Sequence, residues 1–416
     1  MIEVSGRTFA RPRRKTAVFC IDGCDPAYLD LALEDGLMPR LARALANGGV
    51  YVRGRGQMPS FTNPNNMSIV TGQPPSVHGI SGNYYFDSER GEEVPMNEPR
   101  FLRAPTIFEA MEARGTRTLC VSAKDKLRAL LGATTRGGPA PMSLSAERAH
   151  EQSAFGESVV AIVGKKNPSI YDWDISHYAM EMGLALHARA SASLVYVSLT
   201  DFVQHKEGPR GEMANRFYAR FDELLGAYVD IGFACGITAD HGMNDKTRAD
   251  GSPNVRYLED ALREAGIAGA RVLLPITDPY VVHHGALGSF ATVYVAPPML
   301  AHARRALAAL PGVELVVERA EAATRFELPA DRIGDLVVLG DRSTVLGKSA
   351  AYHDLSAVAR GLRSHGGLHE AHVPIISCAP LREGATLPRT NADVFDMMLN
   401  GVARAAHAPT LAHGDL

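Results

Sequence analysis

The chain has 416 residues, enough for one large core with a second, smaller unit. Its formal charge of -3, from 43 basic and 46 acidic residues, excludes a protein held to nucleic acid by a bulk basic field. Five scattered cysteines (Cys20, Cys24, Cys120, Cys235 and Cys378) exclude a disulfide framework and read as buried thiols.

The basic start, "MIEVSGRTFARPRRK", leads into a short apolar segment with a charge and no small-residue cleavage site. That segment, "TAVFCID", reads as the first strand and ends on Asp22. "MPRLARALANGG" predicts a helix stopped by glycines, and "GVYVRG" the next strand. "SFTNPNNMSIVTG" then predicts a helix from about Asn63 to Thr71, closed by Gly72, with Thr62 at the N-cap. Pro64 falls in the first turn, where its missing N–H is harmless. "TRTLCVSA" and "SLVYVSL" are further strands, and the helical "EMANRFYARFDELLGAYVDIG" leads into strand "FACGITAD". Between about Ala270 and Gly347 the texture changes to short strands around a helix, "MLAHARRALAAL". After it, "VPIIS" and a helical "NADVFDMMLNGVARAA" return to the first architecture. The expectation is an α/β core over 15–269 and 348–416, with a mostly parallel central sheet flanked by helices. A small α+β cap is inserted at 270–347. No apolar run reaches membrane-spanning length, so a soluble cytoplasmic protein is expected, with neither membrane nor nucleic acid as partner.

In open α/β sheets ligands gather beyond the carboxyl ends of the strands. Asp22, Asp201 and Asp240 each follow a strand, and His241 follows Asp240 directly. His205 lies one helical turn after Asp201, so the two side chains share a face. "RSHGGLHEAH" adds His365, His369 and His372. Each residue alone reads as a turn former, a cap or a surface pair. Their convergence on one rim suits a borderline divalent metal, zinc above all, and the ligands exceed what one ion needs. Paired ions clamp both oxygens of a phosphoryl displacement. That gives Thr62 a second role: a helix N-terminus draws phosphate, and an oxygen held there beside a metal is a candidate nucleophile.

In order, "CIDGCD", "PSFTNPNNMSIVTGQPPSVHGISGN", "LTDFVQH", "TADHGMND" and "RSHGG" resemble the alkaline phosphatase superfamily, in its nucleotide pyrophosphatase/phosphodiesterase-like branch. The resemblance implies an alkaline phosphatase-like fold and two zinc ions per chain. One zinc would take Asp201, His205 and His365. The other would take Asp22, Asp240 and His241, with Thr62 as nucleophile against it. His365 is chosen over His369 and His372 because the family's ligand precedes a glycine. Asn83 in "SGNYY" matches the family's amide donor to a phosphoryl oxygen. "GNYYFD", "SAKDKLRALLG", "LLPITDPYVVHHGALGSFATVYV" and "RFELPADRIGDLVVLG" are similar, more closely, to the phosphonoacetate hydrolases within that branch. This implies cleavage of a small-molecule phosphonate, phosphonoacetate, to acetate and phosphate through a phosphothreonine. Lys124 and Lys126 are candidates to bind the substrate carboxylate, and His283 and His284 to approach its mouth. Phosphomonoester or phosphodiester hydrolysis on the same core is the alternative. A homodimer is left open.

Overall fold

The computed structural model describes residues 1–276, 286–359 and 361–403. Among them, seven strands form the central sheet. Their order is Val50–Arg55, His372–Ser377, Ala234–Thr238, Thr16–Cys20, Leu194–Ser198, Thr118–Ser122 and Met142–Ser145. The run from Ala234–Thr238 to Met142–Ser145 is parallel, and His372–Ser377 lies antiparallel to both its neighbours. The innermost strands are buried along their whole length, as expected for a sheet covered on both faces. Helices Ile175–Ala190 and Glu212–Asp230 supply part of that cover. Phe19 of the central strand meets Phe221 and Tyr228 of the second helix edge-on, at 5.9 and 4.9 Å between ring centres.

"TAVFCID" is not the first strand. A hairpin of Ile2–Val4 and Arg7–Phe9 precedes it, too short for an alternating pattern to be readable. The helix expected near the C-terminus changes winding along its length: a 3₁₀ turn at Asn391–Asp393, an α turn at Val394–Asp396 and a π turn at Met397–Gly401. Asn400 in the wide last turn accepts from the Ala10 N–H and donates to the Thr8 carbonyl, tying it to the second strand of the hairpin. All five cysteines are free, four of them fully buried.

A second sheet, of four antiparallel strands, runs in the order Arg271–Leu273, Phe290–Tyr294, Leu336–Gly340 and Val313–Glu318. Its apolar cluster includes Val272, Phe290, Leu307 and Val338. The same cluster takes in Leu258, Leu262 and Ile267, and also Phe61, which precedes Thr62. His283 and His284 lie outside the described residues. Among the described residues, no helix is long and apolar enough to cross a membrane.

Candidate active site

Four neighbouring parallel strands end level with one another. Ser122, Ser198, Cys20 and Thr238 are paired across the sheet. Just beyond them stand Lys124, Asp201, Asp22 and Asp240, so the topology alone delivers one ammonium and three carboxylates to a single edge. Gly23 makes the approach possible. It sits at φ +72°, and a Cβ there would lie 3.0 Å from Asp201 Cβ and 3.1 Å from Gln204 Cβ.

Three histidines complete the cluster, all buried. Each has its Nδ1 against a backbone carbonyl: His205 on Arg363 at 2.7 Å, His365 on Ser60 at 2.8 Å and His241 on Gly242 at 2.9 Å. A carbonyl only accepts, so Nδ1 carries the proton and Nε2 is the nitrogen turned to the acids. His205 Nε2 is 3.0 Å from Asp201 Oδ2, and His241 Nε2 is 3.1 Å from Asp22 Oδ1. The His241 and His365 rings stack at 3.6 Å and 7°. Gly366, at φ +115°, lets the chain turn there: a Cβ would strike the Phe61 ring at 2.5 Å, the ring whose edge contacts His365.

Asp201, His205 and His365 bring their ligand atoms within 4.8 Å of one another, as do Asp22, Asp201 and His241. The second group thus holds Asp201 where the expectation had Asp240. Asp240 stands beside it, its Oδ2 3.7 Å from His241 Nε2, while its Oδ1 accepts the N–H groups of Gly23 and His241. His369 lies apart, bonded to Glu314 of the second sheet, and His372 is exposed.

The charges are out of balance. Lys124 Nζ bridges Asp22 Oδ2 at 2.6 Å and Asp201 Oδ1 at 2.8 Å. Burial opposes the ammonium, but Asp201 and Asp22 outweigh it and raise its pKa. Burial would also lift the Asp201 carboxyl, yet Lys124, His205 and His365 hold it well below the usual range. Asp22 is pushed up by burial and by Asp201, and is brought below its ordinary value by Lys124 and His241. Asp240 stays raised, first by burial and then by Asp22. Burial opposes a charged His241, but Asp240 and Asp22 push it up to about 9. His365 falls well below its ordinary value through burial and the neighbouring His241 and His205. Three close carboxylates face one ammonium, and the raised Asp240 and His241 show protons held there that a divalent cation would replace. With three imidazoles pinned through Nδ1, the donor set fits nitrogen- and oxygen-liganded metals.

Thr62 is the first residue of helix Thr62–Thr71, and Phe61 takes the N-cap position. The cap role expected of the Thr62 side chain is therefore absent. The helix buries every residue, which is unusual for a segment with three asparagines. Each asparagine is tied to a different wall. Asn63 donates through Nδ2 to Met96 O and Asn97 Oδ1. Asn65 donates to the carbonyls of Gln57, Pro59 and Phe61, shaping the approach to Thr62. Asn66 donates to Thr62 O at 3.0 Å and Asp240 Oδ2 at 3.4 Å, and accepts from the Tyr196 hydroxyl at 2.7 Å. Ser60 joins this helix to the His365 loop: its carbonyl holds His365, and its hydroxyl donates to Gly367 O and accepts from Gly366 N–H. Sequence reasoning gave Ser60, Asn65, Asn66 and Tyr196 no role; the available signal was the density of asparagine inside a helical pattern.

Asn83 Oδ1 accepts the Asn63 N–H at 3.2 Å, which leaves its Nδ2 to donate near the helix N-terminus. Lys126 lies in the first turn of helix Asp125–Leu131, half-buried.

This arrangement defines a candidate metallohydrolase site, and the family agrees. The type I phosphodiesterase / nucleotide pyrophosphatase family matches residues 16–368, and the chain belongs to it. Within that class, the chain is similar to the phosphonoacetate hydrolase of Sinorhizobium meliloti 1021. Structures of that protein with phosphonoformate and with phosphonoacetate superpose with TM-scores of 0.91 and 0.90, at 45% identity over 97% of this chain and 99% of theirs. The murine ectonucleotide pyrophosphatase/phosphodiesterase 5 shares the fold, at 18% identity and a TM-score of 0.63 over 94% of this chain and 96% of that one. The curated alkaline phosphatase PhoK of a Sphingomonas species is 25% identical over 325 residues. That match covers 56% of this chain and only 58% of PhoK, under two thirds of that relative's length.

Proposed function

We propose that the chain is a dizinc hydrolase that cleaves the carbon–phosphorus bond of phosphonoacetate to give acetate and phosphate. The observation that carries this reading is the pinned cluster of Asp22, Asp201, Asp240, His205, His241 and His365. It is supported by 45% identity, over 97% of the chain, to a protein crystallised with phosphonoacetate. In this reading Asp201, His205 and His365 hold one zinc, and Asp22, Asp240 and His241 the other, with Thr62 beside it. When bound, zinc supplies Lewis-acid charge that neutralises the phosphonate oxygens and favours ionised oxygen nucleophiles.

The Thr62 oxygen attacks phosphorus in line as the carbon–phosphorus bond breaks. The electron pair passes to carbon and spreads into the carboxylate as an enediolate, which takes a proton to become acetate. Asn83 Nδ2 donates to a phosphoryl oxygen, and the N-terminus of the Thr62 helix faces the same negative charge. Lys124 and Lys126 offset the charge that develops on the carboxylate end. Water then hydrolyses the phosphothreonine and frees Thr62. The inserted segment 270–347 acts as a cap against Phe61 and the Thr62 approach.

Family membership and the similarity to PhoK favour a second reading, in which phosphate esters are the true substrates. Lys126 separates the two, because an aryl phosphate has no carboxylate to engage it. Lys126→Ala is expected to lower kcat/KM for phosphonoacetate at least ~10-fold more than for nitrophenyl phosphate, the loss of about one charge-assisted contact. Equal losses on both substrates would favour the ester reading.

A further inference from the structure

Two fully buried charges stand outside the machinery described so far. Lys246 and Glu370 are each five positions after a metal-facing histidine, His241 and His365. Their ion pair is 2.8 Å long. Glu370 Oε1 also accepts from Asn244 Nδ2 at 2.6 Å, and Oε2 accepts the Gly367 N–H at 3.0 Å. The Glu370 carbonyl accepts the Gly242 N–H at 2.6 Å. Lys246 Nζ donates onward to Arg342 O at 2.8 Å. Burying two such charges strips them of hydration that their mutual attraction does not reliably return, so stability alone is a weak reason for the pair.

We infer that Lys246 and Glu370 are positioning residues that lock the His241 loop to the His365 loop. The contacts fall on Gly242 and Gly367, one and two residues from the histidines, and Asn244 and Lys246 pull the first loop onto the second. The strand bridge from Asn244–Asp245 to Arg363–Ser364 runs the same way. Each ring is already pinned through Nδ1 by a backbone carbonyl, and the lock adds the contacts that hold one loop against the other in the 3.6 Å ring stack. The inference rests on the dizinc reading above.

The test is zinc affinity of the full chain, by competition with a chromophoric chelator, together with the visible spectrum of the cobalt-substituted protein. Glu370→Gln and Lys246→Met are each expected to weaken zinc binding about 10–100-fold and to shift the cobalt bands, with activity recovered at excess zinc. If either single variant fails to fold, the neutral double variant Lys246→Met/Glu370→Gln removes both charges together and is expected to show the same loss. A folded variant with wild-type zinc affinity and an unchanged cobalt spectrum would overturn the lock. Wild-type protein that binds no zinc would overturn the dizinc reading itself.

Discussion

Thr62 shows what one residue's neighbourhood can decide. Sequence pattern made it a helix cap with a possible second role. The structure moves the cap to Phe61 and leaves the Thr62 side chain free of that duty, at the first helical position beside Asp240's partner Asn66. Thr62→Ala is therefore expected to fold and bind zinc normally while losing phosphate release by ~10³-fold or more, as for a removed nucleophile. Phosphate release within about tenfold of wild type would make Thr62 an ordinary helix residue. Asp22, Asp201, Asp240, His241 and His205 were legible because each follows a strand or lies one turn from such an acid, whereas His365 was singled out from three nearby histidines only by the family resemblance. The asparagines were not, since nothing local says which wall a buried amide will meet. Lys124 was read as a partner for substrate, and its link to Asp22 and Asp201 depends on three strands brought together only by topology.

At the scale of elements, helix Thr62–Thr71 is fixed at its far end by the short helix Pro75–His78. Ser68 Oγ lies 2.9 Å from His78 Nε2, and the Ile80 N–H points at Nδ1 from 3.2 Å. Nδ1 must accept, so a second proton on the ring would face a donor. Burial, as the leading cause, lowers the His78 pKa from 6.5 to about 3. Between those values the unfolded chain binds the extra proton and the folded chain does not, so stability falls as pH drops. The neutral ring's contribution is complete above about pH 6.5 and is lost progressively towards pH 3. His78→Gln should flatten the acid limb of a pH-dependent urea-unfolding series in that window, by an amount on the order of a few kcal/mol. An unchanged slope would show that His78 titrates normally in the fold. Helix Glu212–Asp230 was readable within a residue or two, while the long helix Ile175–Ala190 was not singled out. The opening hairpin escaped because three residues per strand carry no periodicity, and the final helix because its winding follows Asn400's contacts with Thr8 and Ala10.

Across the whole molecule, function follows from strand order. Four parallel strands that are far apart in sequence end side by side, and the reversed strand His372–Ser377 brings the His365 loop back over the same edge. The second sheet packs its apolar cluster against Phe61, so that sheet and helix Thr62–Thr71 share a wall. Which strands lie adjacent is a tertiary fact, and without the resemblance the sequence supplied only the candidates, not their neighbours. The central claim, a zinc-dependent carbon–phosphorus hydrolase, is met most directly by one measurement. Acetate and phosphate are quantified from phosphonoacetate with metal-stripped and zinc-restored protein, with nitrophenyl phosphate run in parallel. The account predicts equal amounts of acetate and phosphate, dependence on restored zinc, and a strong preference for phosphonoacetate. Zinc-restored protein that releases phosphate from the ester but none from phosphonoacetate would contradict it.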